Sequence, residues 1–359
     1  MKTLRFLCLI AVALVAASCG VSRPAAQSLP EPQGQPRIEP ESHPQSSNVV
    51  VPAFLRKGDK IAILAPAYTT PFENVLGAAE AIRSWGYEPV IGANVQKLYA
   101  GKYAGTDLER ANDLRRALED PEIKAIICTR GGYGTIRLID LFKPEEFAAH
   151  PKWLVGYSDI TTLIEMENCA GVAAIHGTMG NTIVKGGEDL SCRTLKSLLE
   201  GTVPQYYLPA HPQNLPGKAT GTLVGGNLCT FAANLDTWAD ATRQDDIILF
   251  IEEVGESMHH IDRLFNMLLM RGLLQRCRGI IFGDFTDCGS EFDFGGVEAM
   301  LNTYLAGRDI PVLCGFPAGH GETNLPLVMG VTVTIDVRSD GATLSFDTLD
   351  NSNTVNLRQ

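Results

Sequence analysis

Apolar residues in this chain follow two rhythms. Short runs rich in β-branched residues occur at 60–65 (KIAILA), 123–128 (IKAIIC) and 153–155 (WLV), each closed by Gly, Pro or a polar residue. Between them, 74–85 has helical spacing and stops at Gly86. A second helix follows Thr106 through Leu118, with Glu109 at the capping-box position, and 88–91 offers a further strand. Continuous apolar strands alternating with amphipathic helices predict a parallel sheet covered on both faces. Farther on, 221–224, 247–251, 279–282 and 331–337 read as strands, with a helix over about 257–275 and a short strand at 312–314. The strict alternation of VTVTIDV (331–337) suits a half-exposed antiparallel strand. Proline and polar residues cluster at 203–218. The expected fold is therefore α/β: a Rossmann- or flavodoxin-like N-terminal domain with a parallel sheet (51–202), a linker (203–218), and a smaller C-terminal α/β domain of mixed strands (219–359).

The first fifty residues follow neither rhythm. Lys2 and Arg5 precede an apolar run from Phe6 to Ala17 and then Ser18-Cys19-Gly20. That run is too short to cross about 30 Å of hydrocarbon, so 1–18 reads as an export signal. Small residues before Cys19 resemble a bacterial lipobox, which makes Cys19 the lipidated first residue of the mature chain; an ordinary signal peptide that happens to contain Cys19 is the alternative. From Gly20 to Val50 the chain holds six of its twenty prolines and almost no aliphatic pattern. Residues 19–50 are thus a tether with too little apolar surface to fold. The expected location is the bacterial cell envelope, with the membrane engaged by the lipid anchor alone.

Composition narrows the rest. A chain of 359 residues with 45% apolar content is not disordered as a whole, and a net charge of −11 without a basic stripe argues against nucleic acid. Loss of 1–18 leaves −13, because only Lys2 and Arg5 are charged there. Beyond Cys8 and Cys19, the cysteines 128, 169, 192, 229, 277, 288 and 314 are scattered with no CxxC spacing, which gives no clear disulfide framework and leaves one disulfide open. Cys128, inside an apolar run, reads as a buried small hydrophobe.

Three strand ends could carry chemistry. The first runs from Ile126-Ile127-Cys128 into Thr129-Arg130-Gly131-Gly132-Tyr133-Gly134, a turn whose N–H groups could hold an oxyanion or serve the backbone alone. It lacks both the Walker and the dinucleotide fingerprints. The second is Val155-Gly156-Tyr157-Ser158-Asp159-Ile160, a strand, a sharp turn and a helix. That is nucleophile-elbow geometry, although Ile160 replaces the second glycine. Ser158 or Asp159 as a plain helix cap is the competing reading. The third is IILFI followed by Glu252-Glu253, where a carboxylate ends a buried strand and needs a partner. Among seven histidines, His320 lies between Gly319 and Gly321 and could reach another element's strand ends, or sit in a solvated turn. His259-His260 with Asp262 lacks the HEXXH spacing, so no metal and no cofactor is expected.

Taken together, RGGYGTIRLI (130–139), VGYSDITTL (155–163), HGTM (176–179), GTLVGGNL (221–228), ILFIEEVGE (248–256), IDRLFNMLLMRGLL (261–274), GIIFGDFTDC (279–288) and FPAGHGETNLPLVMG (316–330) resemble, in order, the LD-carboxypeptidase family of serine peptidases (family S66, muramoyltetrapeptide carboxypeptidases). The resemblance implies a triad of Ser158, Glu252 and His320. It also implies an oxyanion hole from the Gly131–Gly132 turn with the N–H of Asp159. Substrate contacts then fall to Arg130, Tyr133 and Arg263, and the substrate is a murein stem peptide or muropeptide cut before its terminal D-alanine. Homodimers are common in the family. Glu253 stands where the family usually has Asp, so strand alignment must choose between the two glutamates. Met258-His259-His260 and Asp236-Thr237-Trp238 depart from the family pattern and are expected to border the cleft. Two alternatives stay open: a microcin-immunity-like enzyme acting on acyl-nucleotide peptides, and a catalytically silent lipid-anchored peptide-binding protein.

Overall fold

The structure, a computed structural model, describes residues 49–183, 187–289, 291–349 and 352–357. The export signal, Cys19 and nearly all of the tether lie outside the described residues.

Strands alternate with helices: β1 (Lys60–Leu64), β2 (Glu88–Ile91), β3 (Ile123–Cys128) and β4 (Trp153–Gly156) where the pattern predicts them, and a further short strand, β5 (Ala174–His176), that it did not. The helices of this part are α1 (Phe72–Ser84), α2 (Asp107–Glu119), α3 (Pro144–Ala148), α4 (Thr161–Cys169), α5 (Gly180–Ile183) and α6 (Leu190–Leu199). Every interior position of β3 except Lys124 is buried, because helices cover both faces of a parallel sheet. At α2 the Thr106 hydroxyl accepts from Glu109 N at 3.3 Å, and the Glu109 carboxylate accepts from Thr106 N at 2.9 Å. This reciprocal cap is worth about 1 kcal/mol.

The remaining strands are β6 (Val203–Pro209), β7 (Gly217–Asn227), β8 (Ile247–Val254), β9 (Cys277–Thr286), β10 (Val312–Leu313), β11 (Leu327–Met329), β12 (Thr332–Arg338), β13 (Gly341–Phe346) and β14 (Ser352–Asn356). They are joined by α7 (Leu228–Ala233), α8 (Met258–Met270), α9 (Leu273–Arg276) and α10 (Val297–Asn302). The first sheet has the order β11-β5-β4-β3-β1-β2 and the second β10-β9-β8-β7-β12-β13-β6-β14. In the second, β7 to β10 are parallel, while β12 pairs antiparallel with β7 and β13 and alternates half-buried with buried residues, as VTVTIDV predicted.

Two expectations need correction. The stretch 203–218 is not simply a linker: β6 occupies its first half, paired with β13 and β14. Its prolines disguised an alternating strand whose Tyr206 is fully buried and donates to Pro326 O at 2.6 Å. The helix at 257–275 breaks at Gly272, whose φ of +77° ends α8 before α9 begins. Strand β11, from the C-terminal half, adds antiparallel to β5 at the edge of the first sheet. One apolar core accordingly holds Ile126 and Val155 of the first sheet together with Phe250 and Ile281 of the second. A second core packs α8 and α10 on the far side of the second sheet. The described residues form one compact unit.

Candidate active site

Strand β4 stops at Gly156 for a steric reason. A Cβ there would lie 2.6 Å from Ile160 Cγ2, so the buried Ile160 fills the room that a side chain at 156 would need. Two residues on, Ser158 has φ +63°. The left-handed region costs a non-glycine residue on the order of 1 kcal/mol. A short 3₁₀ turn (Ser158–Ile160) then leads into α4, and no side chain caps either the turn or the helix. Asp159 serves a different element: its Oδ2 accepts from Thr135 N at 3.0 Å, and its carbonyl accepts the Thr135 hydroxyl at 2.5 Å. The helix-cap reading of Ser158 and Asp159 therefore fails, and strain at the serine is what the elbow reading requires. Burial pushes the Asp159 carboxyl up, against the bonds from Thr135.

The glycine turn after β3 abuts this serine. A Cβ on Gly131 would fall 3.0 Å from Asp159 N and 3.1 Å from Ser158 Oγ. The absent side chain leaves space beside both the hydroxyl and an N–H, which is where a tetrahedral oxyanion would need a donor. Gly132, at φ +111°, is overlain by the Tyr68 ring. Arg110, fully buried, props the turn by donating to Gly134 O at 3.0 Å and to Pro66 O. The Arg130 guanidinium lies 5.8 Å from the centroid of the Tyr68 ring and has no ion-pair partner among the described residues. Tyr133 is 46% exposed, its ring 6.3 Å from Tyr103.

Alternation along β8 settles which glutamate faces the site, since neighbours on a strand point to opposite faces. Glu252 is fully buried, and its Oε2 accepts from His320 Nδ1 at 2.7 Å. Glu253 points away: its Oε1 accepts from Asn227 Nδ2 at 2.7 Å and Val254 N at 2.9 Å, and its Oε2 from Cys229 N at 2.8 Å. Glu253 is thereby occupied in tying β7, β8 and α7 together. Backbone closes around Glu252, because a Cβ on Gly319 would lie 2.7 Å from its Oε2 and one on Gly283 3.1 Å from its Cβ. The His320 ring packs edge-on to Tyr157, the residue before Ser158, with centroids 5.0 Å apart. Among the described residues Ser158 Oγ and His320 share no hydrogen bond; such links often tighten only when substrate is bound. Beneath them His176 is fully buried between Phe250 and Tyr157, and burial pushes its imidazole down to about 3. It is neutral at pH 7 and supplies packing rather than charge.

Other candidates are not drawn in. Arg263 is exposed on α8, and no bond or ion pair links it to Ser158, Glu252 or His320 among the described residues. The His259, His260 and Asp262 side chains turn to different partners, Glu291, Glu256 and Tyr304. Trp238 was expected at the cleft, yet its Nε1 donates to Ile139 O at 2.9 Å and its ring meets Phe147, so it packs against the N-terminal half instead. The seven cysteines of the described part are all free, and Cys128 is buried as expected. Sequence reasoning overlooked Asp284, Asn324, Asn227 and Arg110, which hold the site's loops. Asp284, Asn324 and Asn227 lay inside quoted motifs, but only the fold shows what they hold.

An elbow serine at one strand end and a buried Glu–His pair at another are the parts of a serine-type carboxypeptidase, and comparison with known proteins supports that class. Residues 61–177 match the LD-carboxypeptidase N-terminal domain and 220–335 the LD-carboxypeptidase C-terminal domain. A putative carboxypeptidase of Synechocystis is 33% identical over 303 residues, 83% of this chain and 98% of that protein. The murein tetrapeptide carboxypeptidase of Pseudomonas aeruginosa is 29% identical over 293 residues, 77% of this chain and 93% of that protein. A microcin C7 self-immunity protein of Escherichia coli is 28% identical over 340 residues, 82% of this chain and 94% of that one. The crystal structure of a muramoyltetrapeptide carboxypeptidase from Oxalobacter formigenes superposes with a TM-score of 0.72 at 25% identity, covering 82% of this chain and all of that one. The chain belongs to the LD-carboxypeptidase family.

Proposed function

We propose that this protein hydrolyses the L,D-peptide bond before the terminal D-alanine of murein tetrapeptides, through an acyl-enzyme on Ser158. The observation that carries the reading is the buried Glu252–His320 hydrogen bond packed against the strained Ser158 turn. In the reaction His320 Nε2 takes the Ser158 proton as Oγ attacks the carbonyl carbon. Glu252 holds Nδ1–H and offsets the imidazolium charge. The oxyanion lies in the gap beside Gly131, with Asp159 N–H as donor. His320 then gives its proton to the D-alanine amine as the C–N bond breaks. Water, deprotonated by the same imidazole, frees the acyl group and restores Ser158. Arg130, a half-buried cation without an ion-pair partner among the described residues, is the group we assign to receive a substrate carboxylate.

The test is mass spectrometry of a murein tetrapeptide incubated with the mature protein. Loss of D-alanine that disappears in Ser158→Ala is the expected result; no loss, or equal loss from the variant, refutes the reading. An acyl-nucleotide peptide run in parallel tests the second reading, which the likeness to the microcin C7 self-immunity protein favours. The lipobox-like Ser18-Cys19-Gly20 supports a lipid-anchored envelope enzyme. Partition of the expressed protein into detergent, lost in Cys19→Ala, tests that assignment.

A further inference from the structure

The base in this site rides on a loop that bonds to itself on either side of the imidazole, Ala318 N donating to Phe316 O at 2.7 Å and Leu325 N to Pro317 O at 2.9 Å. His320 lies between two glycines, and Gly319 takes φ +131°, so local backbone preference fixes little there. Further bonds hold it both from within and from neighbouring elements. Phe316 N donates to Phe282 O at 3.0 Å, and Gly319 N donates to Asn324 Oδ1 at 3.1 Å. Asn324 is anchored in turn, its N–H donating to Ser191 Oγ of α6 at 2.9 Å. From outside the loop, one residue near the end of β9 contacts the backbone on both sides of His320. Asp284 N donates to Ala318 O at 3.0 Å, and Asp284 Oδ2 accepts from Gly321 N at 3.2 Å. One side chain and its own backbone thus grip the loop two residues before the imidazole and one residue after it.

We propose that Asp284 is a positioning residue for His320, fixing the loop through Gly321 N–H and placing a second carboxylate beside the imidazole. This rests on the reading of His320 as the base. The charged groups facing Asp284 are Glu252 from β8, His320 from the loop and Glu298 from α10. Burial, with those two glutamates, pushes its carboxyl up to about 6, while Gly321 N–H and His320 pull it down. Above that pH it is ionised. It then accepts from Gly321 N–H as a carboxylate and favours the imidazolium that forms when Ser158 gives up its proton.

The experiment is the rate of Ser158 labelling by a fluorophosphonate from pH 5 to 9 in the mature protein, Asp284→Asn and Asp284→Ala. Labelling requires Ser158 activated by His320 but no particular peptide. Failure of the tetrapeptide assay with labelling intact would therefore remove the substrate assignment and not this role. Asp284→Asn keeps an acceptor for Gly321 N–H and loses the charge. Its rate at pH 8 is expected within about threefold of the parent, with the acid limb moved down by about half a pH unit, because the imidazolium has lost a neighbouring anion. Asp284→Ala loses the acceptor too, and its labelling is expected to fall about tenfold or more at every pH. Where tetrapeptide is cleaved, that loss should fall on kcat with KM within about twofold. A folded Asp284→Ala that labels within twofold of the parent overturns the proposal. Should that variant not fold, an unmoved acid limb in Asp284→Asn overturns it alone.

Discussion

Replacing Glu252 by Gln and, separately, Glu253 by Gln sets the two adjacent carboxylates against each other. In the parent, Glu252 Oε2 accepts from His320 Nδ1 while Oε1 is buried without a partner. A Gln at 252 has two poses. With its carbonyl toward His320 the productive tautomer is kept, but a buried NH₂ is left unpaired, costing about 1–3 kcal/mol. With its NH₂ toward His320 that cost vanishes, because the amide donates to Nδ1; the ring proton then moves to Nε2, where it cannot take the proton of Ser158. The second pose is the cheaper, and the imidazolium has also lost its counter-charge. A loss of about 10³–10⁴ in kcat follows, the order seen when a triad acid becomes an amide. Folding should not suffer, since a desolvated charge has been exchanged for a neutral group. Glu253→Gln does the reverse. It weakens three hydrogen bonds to Asn227, Cys229 and Val254 and should lower stability by about 1–3 kcal/mol, with kcat reduced less than about tenfold in the protein that stays folded. Thermal melts and D-alanine release, with fluorophosphonate labelling as the substrate-independent control, measure both. A folded Glu252→Gln variant within about tenfold of the parent, or Glu253→Gln as the more damaging to kcat, refutes the assignment of the acid.

Three further outcomes follow from the geometry. Ser158→Gly removes the nucleophile and also the left-handed strain at φ +63°, so an inactive protein more stable by about 1 kcal/mol is expected in a urea titration; equal or lower stability would show that the turn stores no strain. Gly131→Ala places a methyl 3.1 Å from Ser158 Oγ and 3.0 Å from Asp159 N, where the oxyanion must fit, and should cut kcat/KM by about 10² or more with little change in melting temperature. His176 has a folded pKa near 3, below its unfolded value of about 6.5, so it contributes stability above about pH 6.5 that is lost as pH falls toward 3. His176→Phe should flatten urea-derived stability between pH 6 and 4 by about 1.4 kcal/mol per pH unit, and an unchanged slope would exclude His176 as the titrating group.

How much of this could be read from the chain alone depends on how local each signal is. Strands β1 to β4, the Thr106 capping box and the elbow at Gly156–Ser158 are written in neighbouring residues, and the structure holds them where the pattern put them, whereas the three-residue strands β5 and β11 of the same sheet were too short to be read. Strand β6 was obscured because Pro204 and Pro209 read as breakers, although pairing on both sides and the burial of Tyr206 make it a strand. The break at Gly272 went unread because a single glycine is tolerated within helical spacing. For Trp238, position near a motif suggested the cleft, but its ring found an apolar partner in Phe147.

The sequence by itself determined the α/β class, the order of the motifs and the short set of residues able to do acyl-transfer chemistry, because periodicity and motif spacing are properties of the chain. The resemblance already named Glu252 rather than Glu253, but the physical reason for that choice exists only in three dimensions. Strand alternation sends one carboxylate to His320 and the other to Asn227, and register across β7, β8 and β9 decides which. The same holds for Asp284 and Asn324. Asp284's partner lies on a loop far along the chain, Asn324 ties its own loop to α6, and backbone N–H groups carry no side-chain signature that a sequence could reveal.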